Sequence, residues 1–275
     1  MNWFEKAVKV LYDWRMPKPP FYGWYHLLWL AIMVIACALV IIFRRKISKK
    51  AVRITLIVWG SAIIFLEIIK QVLVSFHIVH GSVVWAYAWA SFPFQFCSSP
   101  LYVALPAGIL KKGKVKEALQ SFIALFAIIG GFAAMVYPAN MFSHLTFINL
   151  HTMVWHVSMV TISVMLLATR TVKFEFFSLL KGFIVFIILT VVALILNAIL
   201  GKSTGINLFY ISPYFAFNVP IVTWCYEHLS YPVYFFVYII AFTLAAAAVL
   251  FGAMAGEKLE ERITQIRQER IEQIA

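Results

Sequence analysis

Acidic side chains are scarce in this chain: 11 Asp and Glu stand against 23 Lys and Arg in 275 residues, and charged residues make up only 12%. So little charge cannot cover the surface of a soluble globule. With 63% hydrophobic residues and a mean hydropathy of +0.91, the chain reads as a polytopic membrane protein. Cysteine is also sparse. Cys37, Cys97 and Cys225 form no CxxC pair, which speaks against a disulfide framework or a thiolate metal site. The seven histidines come without HExxH or a carboxylate pair, so no metal and no cofactor is called for. The net charge of +12 does not signal nucleic acid, because Lys and Arg fall in short clusters between long apolar runs. A cleavable signal is not expected either, since the N-terminus opens on mixed charges and aromatics. No internal repeat of the kind found in many transporters is visible.

What is present is a series of seven apolar stretches of spanning length, at about 25 to 43, 54 to 79, 91 to 110, 118 to 136, 149 to 169, 178 to 200 and 231 to 254. The fold class is therefore all-α, a seven-helix membrane bundle. Basic residues gather in every second connection: Arg44, Arg45 and Lys46; Lys111, Lys112 and Lys114; Arg170 and Lys173; then Lys258 and Arg262 in the tail. The positive-inside rule puts these loops and the C-terminus in the cytoplasm and the N-terminus outside, in the plasma membrane if the host is a bacterium. Upstream, Trp3, Ala7, Val10, Leu11 and Trp14 recur at helical spacing, which predicts an interfacial helix over 2–16 that Pro17, Pro19 and Pro20 close. Residues 1–255 read as one membrane domain, and 256–275 as a charged cytoplasmic tail helix.

Polar groups inside the spans are the candidates for chemistry, because the bilayer interior disfavours them. In Phe92-Pro93-Phe94-Gln95-Phe96-Cys97 a thiol and an amide interrupt the third stretch. If that span begins near Ser91, Cys97 lies roughly 9 Å below the outer edge at the helical rise per residue. Asn149, Thr152 and His156 share a face of the fifth span, with His156 about 10 Å down. Glu67, Lys70 and Gln71 share a face of the second, with Gln71 about 12 Å from its outer end. Pairing is the ordinary way such groups are tolerated. Cys97 reads either as a nucleophile served by His156 or as a small buried hydrophobe; His156 is a general base or an interhelical hydrogen-bonding residue. Glu67 and Lys70 either neutralise each other or form a proton or ion path. Pro100 cannot donate to the Phe96 carbonyl, which leaves an acceptor beside Cys97. His151 points to a different face and His144 lies in a loop, and both are candidates to border an entrance. Asn207, beside a glycine, is a turn residue or an amide reaching the outer cavity.

These residues resemble, in order and spacing, those of the YwaF and TMEM164 type integral membrane proteins, seven-span proteins of bacteria and animals. The family's hydrophobic-Pro-hydrophobic-Gln/His-hydrophobic-Cys signature matches Phe92 to Cys97, its acidic residue in the second span matches Glu67, and its histidine early in the fifth matches His156. Its Asn-x-x-x-Gly followed by Asn-Tyr-x-Phe resembles Asn197, Gly201, Asn207 and Phe209. Ser98, Val157 and Leu208 depart from the acidic residue, glycine and tyrosine usual there. The resemblance covers about residues 20 to 255 and implies acyl chemistry, in which Cys97 attacks an acyl ester, His156 relays the proton, and a phospholipid or lysophospholipid is the partner. Two other classes remain beside it: an ion- or proton-coupled transporter using Glu67, Lys70 and His156, and a noncatalytic membrane scaffold.

Overall fold

The computed structural model describes residues 2–138, 141–216 and 219–274. Helix α1 (Trp3–Asp13) opens on a capping box, in which the Glu5 amide donates to Asn2 Oδ1 at 2.8 Å and the Asn2 amide to Glu5 Oε2 at 2.9 Å. It buries only Val8 and lays Phe4 on Phe76 and Tyr12 on His77, so it crosses one end of the bundle instead of entering it. Helix α2 (Trp24–Phe43) follows the prolines. Its His26 accepts from the Tyr22 amide at Nδ1 and therefore donates from Nε2 to the Met135 carbonyl, at 2.8 Å, tying the start of the first span to the end of the fourth.

Helix α3 (Lys49–Ser75) begins at Ser48, whose Oγ accepts from the Ala51 amide, and stops four residues before the expected end at 79. The cause lies downstream. Phe76–Val79 and Ser82–Trp85 are rich in β-branched and aromatic residues and flank His80-Gly81, which take φ of 49° and 81°. They form the antiparallel hairpin β1 (Phe76–Val79) and β2 (Ser82–Trp85), with Phe76 opposite Trp85.

The third expected span is not one helix. Trp89–Ser91 and Phe96–Ser98 are single 3₁₀ turns, and only α4 (Pro100–Ile109) is α-helical. Pro93 and Pro100 each remove a backbone donor, and Pro100 takes the first position of α4, where that loss does no harm. Among the described residues, six helices are long and apolar enough to cross a membrane, where seven were expected; the third stretch contributes only the short Phe96–Ile109. The fourth span joins α5 (Lys114–Phe122) to α6 (Ile128–Val136) through a π turn over Ile123–Ala127, fully buried, whose Ile123 carbonyl accepts from Ser163 Oγ at 2.7 Å. Then come α7 (Thr146–Ala168), α8 (Phe176–Thr204), the short α9 (Pro220–His228) in the connection between the last two spans, and α10 (Tyr231–Ile274). Helix α10 runs for 44 residues without a break at Gly256, about 66 Å at the helical rise, so the last span and the charged tail are one rod.

Helix α7 is the centre, buried over two thirds of its span and packed against α2, α3 and α6. Helices α3 and α4 approach until backbones touch: a Cβ on Gly60 would stand 2.7 Å from the Leu105 amide nitrogen, and one on Gly108 would stand 2.8 Å from that of Ile57. Outward, α2, α3 and α8 present exposed Ile, Leu, Val and Phe, as a lipid-facing surface requires. The ion pairs Arg44 and Arg45 with Glu260, Arg170 with Glu257, and Lys181 with Glu117 gather at the end opposite the hairpin, where the sequence places its basic connections. The chain is an all-α multi-pass integral membrane protein.

Candidate functional site

The segment that breaks the third span is held residue by residue. Phe94 stacks on Phe209 at 5.7 Å, and Phe96 enters a ring cluster with Phe186, Phe209 and Phe242, the last with centroids only 4.5 Å away. Between them Gln95 faces the other way and clamps a distant loop, accepting from the Phe209 amide at 3.0 Å and donating to the Asn207 carbonyl at 2.9 Å. The acceptor expected beside Cys97 at the Phe96 carbonyl is already filled by Ser99, through its amide at 3.2 Å and its hydroxyl at 2.7 Å. Cys97 offers its own carbonyl to the indole of Trp155 at 2.8 Å instead. Its position just ahead of α4, not one and a half turns inside a helix, is therefore fixed from both sides.

Cys97 lies on the wall of a cavity of about 230 Å³, near the hairpin end of the bundle, together with Glu67, Lys70, Gln95, Thr152 and His156. Topology thus brings these six predicted residues to one place. Thr152 acts through its backbone: His156 Nδ1 lies 2.7 Å from the Thr152 carbonyl, and since a carbonyl only accepts, Nδ1 carries the proton. The lone pair of the neutral ring is then on Nε2, which is buried and has no hydrogen-bond partner. Glu67, also buried, accepts at Oε1 from Lys70 Nζ at 2.9 Å and from Gln71 Nε2 at 2.6 Å. Gln71 stands behind this pair, bridging to the Ser91 carbonyl at 3.0 Å and accepting from the Tyr87 hydroxyl at 2.9 Å.

Three predicted residues are not on the cavity wall: Gln71, behind the Glu67–Lys70 pair, and two asparagines. Asn149 holds the turn before its own helix, accepting from the Ser143 amide and donating to the Ser143 carbonyl, both at 2.9 Å. Asn207 folds its loop, accepting from the Ser212 amide at 2.9 Å and donating to the Phe215 carbonyl at 2.7 Å. Amides that both accept from and donate to backbone in this way stabilise their loops.

Three further wall residues stand outside the predicted site. His151, placed on a different face of α7, lines the cavity with Nε2 3.3 Å from Glu67 Oε2 and its ring tilted over Trp155 at 5.1 Å. Residues 151 and 156 are about 140° apart around a helix, and the cavity spans that arc. Trp155 looks like core packing until its indole is seen to hold Cys97. Tyr210 lines the cavity from a loop in which Phe209 and Tyr210 both take positive φ, 55° and 59°. That strain is held by Asn197, which exchanges both bonds with the Leu208 backbone, by Gln95 on the Phe209 amide, and by the Tyr234 hydroxyl on the Tyr210 carbonyl at 2.6 Å. The Asn residues of the sequence motif are therefore the scaffold of this strained loop.

A second concavity of about 480 Å³ lies between α3 and α4. It is lined by apolar groups such as Ile64, Ile68, Val72 and Leu101, and it shares Glu67 with the cavity wall. A family model described as the TMEM164 family matches residues 21–254. The chain belongs to the TMEM164 family. No curated protein and no solved structure matches it.

Proposed function

We propose that this TMEM164-family membrane protein moves or removes lipid acyl groups through a thioester on Cys97, taking a phospholipid as donor and a lysophospholipid or water as acceptor. The observation that carries this reading is that Cys97 and the unpartnered lone pair of His156 Nε2 border the same cavity. In the first step Sγ attacks the ester carbonyl carbon and its proton passes to His156 Nε2. The carbonyl carbon–oxygen bond to the glycerol breaks, the departing oxygen takes a proton from a second acid–base group of the cavity, which regains it from the acceptor in the next step, and the acyl group stays on sulfur. In the second step the hydroxyl of a lysophospholipid, or water, attacks the thioester carbonyl and loses its proton within the cavity, while the thiolate leaves and is reprotonated by His156.

The apolar groove between α3 and α4 gives the acyl chain a path, because it faces the bilayer and meets the cavity at Glu67. Purified protein given a radiolabelled phospholipid and unlabelled lysophospholipid is expected to exchange label. Cys97→Ala and His156→Ala are each expected to lose about 100-fold or more of that activity, the usual scale for a nucleophile or its base. Equal turnover by all three proteins rules the thiol mechanism out. A second reading draws on the buried Glu67, Lys70 and His151 cluster, which suits a proton relay. Flux across vesicles that depends on Glu67 and not on Cys97 selects that one.

A further inference from the structure

Seven buried side-chain polar atoms among the described residues have no hydrogen-bond partner, and three of them belong to this one cavity: Glu67 Oε2, His151 Nε2 and His156 Nε2. Buried polar groups are normally satisfied; here Glu67 Oε2 and His151 Nε2 stand against each other as an ion-pair contact, and His156 Nε2 has no hydrogen-bond partner. The assignment of His156 to the thiol accounts for one of them. It leaves His151 and Glu67.

Their arrangement is specific. Glu67 Oε1 is filled by Lys70 and Gln71, which fixes the carboxylate and turns Oε2 toward His151. His151 Nε2 and Glu67 Oε2 stand 3.3 Å apart, within ion-pair distance but not aligned as a hydrogen bond. The imidazole is thus close enough to feel the carboxylate charge while Nε2 retains its hydrogen-bonding capacity. Trp155, the same side chain that holds the Cys97 carbonyl, lies against the His151 ring and couples the two positions. Only one imidazole is needed for a thiol, yet lipid acyl transfer also has an oxygen that must gain a proton on leaving and lose one on attack.

We infer that His151 is the acid–base group for the lipid oxygen, with Glu67 as its positioning residue, so that the cavity uses two histidines with separate tasks. This inference rests on the thioester reading given above. During acylation His156 Nε2 takes the thiol proton, and the imidazolium of His151 gives its Nε2 proton to the departing glycerol oxygen as that carbon–oxygen bond breaks. The cavity then holds protonated His156, neutral His151 and the thioester. During deacylation the acceptor hydroxyl gives its proton to His151 as its oxygen attacks the carbonyl carbon. The expelled thiolate takes the proton from His156, and both rings return to their starting states.

The test compares two acyl donors carrying the same chain: a phospholipid, whose alkoxide leaving group needs a proton, and a p-nitrophenyl ester, whose leaving group does not. Acylation of Cys97 is read by intact-protein mass spectrometry. His151→Gln is expected to slow acylation by the phospholipid about 100-fold or more while leaving that by the aryl ester within about threefold, and His156→Ala is expected to slow both. Glu67→Gln is expected to follow His151→Gln in pattern, with about a tenfold effect. Undiminished reaction of the variants with the aryl ester also reports an intact site, which separates lost chemistry from lost folding. Equal loss toward both donors in His151→Gln, or no loss toward either, overturns the two-histidine assignment and leaves the thioester reading standing. A wild-type protein that forms no adduct with either donor overturns both.

Discussion

One ring nitrogen, His156 Nε2, is the one left open for the base role we propose, because a neighbouring carbonyl has settled where the proton of that imidazole sits. A change that kept the ring but disturbed the helix carbonyl at Thr152 would therefore matter more than loss of the threonine side chain, which makes no hydrogen bond to the ring. Thr152→Val is expected to keep label exchange within about threefold of wild type, whereas His156→Gln is expected to lose it. Asn197 tests the scaffold instead of the chemistry. Asn197→Ala strips both partners from the Leu208 backbone and is expected to cost about 2 kcal/mol or more, seen as a lower unfolding temperature in detergent. At this scale Cys97, His156 and Glu67 were legible in the sequence, because a polar atom in an apolar run is conspicuous whatever its neighbours. His151 was equally polar and was set aside by a helical-face rule that assumed a narrow site. Asn149 and Asn207 were conspicuous for the same reason, and their partners proved to be backbone groups that no sequence displays.

Among the elements, the broken third span decides where Cys97 sits. The short α4 reaches only part of the way across, so the chain from Trp89 to Ser99 can enter as turns and deliver Cys97 to the interior without a helix of its own. Non-helical backbone at membrane depth is tolerated only when other groups satisfy it, and here Gln71, Ser99, Tyr102 and Trp155 accept that task by donating to the carbonyls of Ser91, Phe96, Pro93 and Cys97. The prolines were visible beforehand, but Pro100 was read as freeing one acceptor within a continuous helix. Hydropathy counts apolar residues and is blind to the loss of two backbone donors seven residues apart. The seat of α4 on α3 depends on Gly60 and Gly108, where backbones are in contact. Gly60→Val is expected to displace α4, lowering the unfolding temperature and the rate of Cys97 alkylation by a lipid-soluble maleimide together. Ile68→Trp, in the groove between those helices, is expected to leave the fold intact and to slow turnover of long-chain phospholipids several-fold more than that of short-chain ones, as measured in the same exchange assay.

On the scale of the whole molecule, charge and apolar surface divide cleanly. The hairpin, α1 and the cavity lie at one end; the paired Arg44, Arg45 and Arg170 with Glu257 and Glu260 lie at the other. If the basic end faces the cytoplasm, as the positive-inside rule requires, a phosphatase fused after residue 275 is expected to be inactive and a fluorescent protein at the same place to glow in living bacteria. The class of the protein was legible in composition alone, since length of apolar run is a direct physical requirement of the bilayer. The register between spans was not, because it is set by side-chain packing such as Phe96 among Phe186, Phe209 and Phe242, residues far apart in sequence. The central claim joins these levels: a broken span, a strained loop and a central helix bring Cys97 and His156 to one cavity, where we propose that the thiol is the nucleophile and the imidazole its base. Its most direct measurement is peptide mass spectrometry of the purified wild-type protein after brief exposure to a phospholipid. A hydroxylamine-sensitive acyl group on Cys97, absent in His156→Ala, is the predicted result, and full acyl exchange by Cys97→Ala is the result that contradicts it.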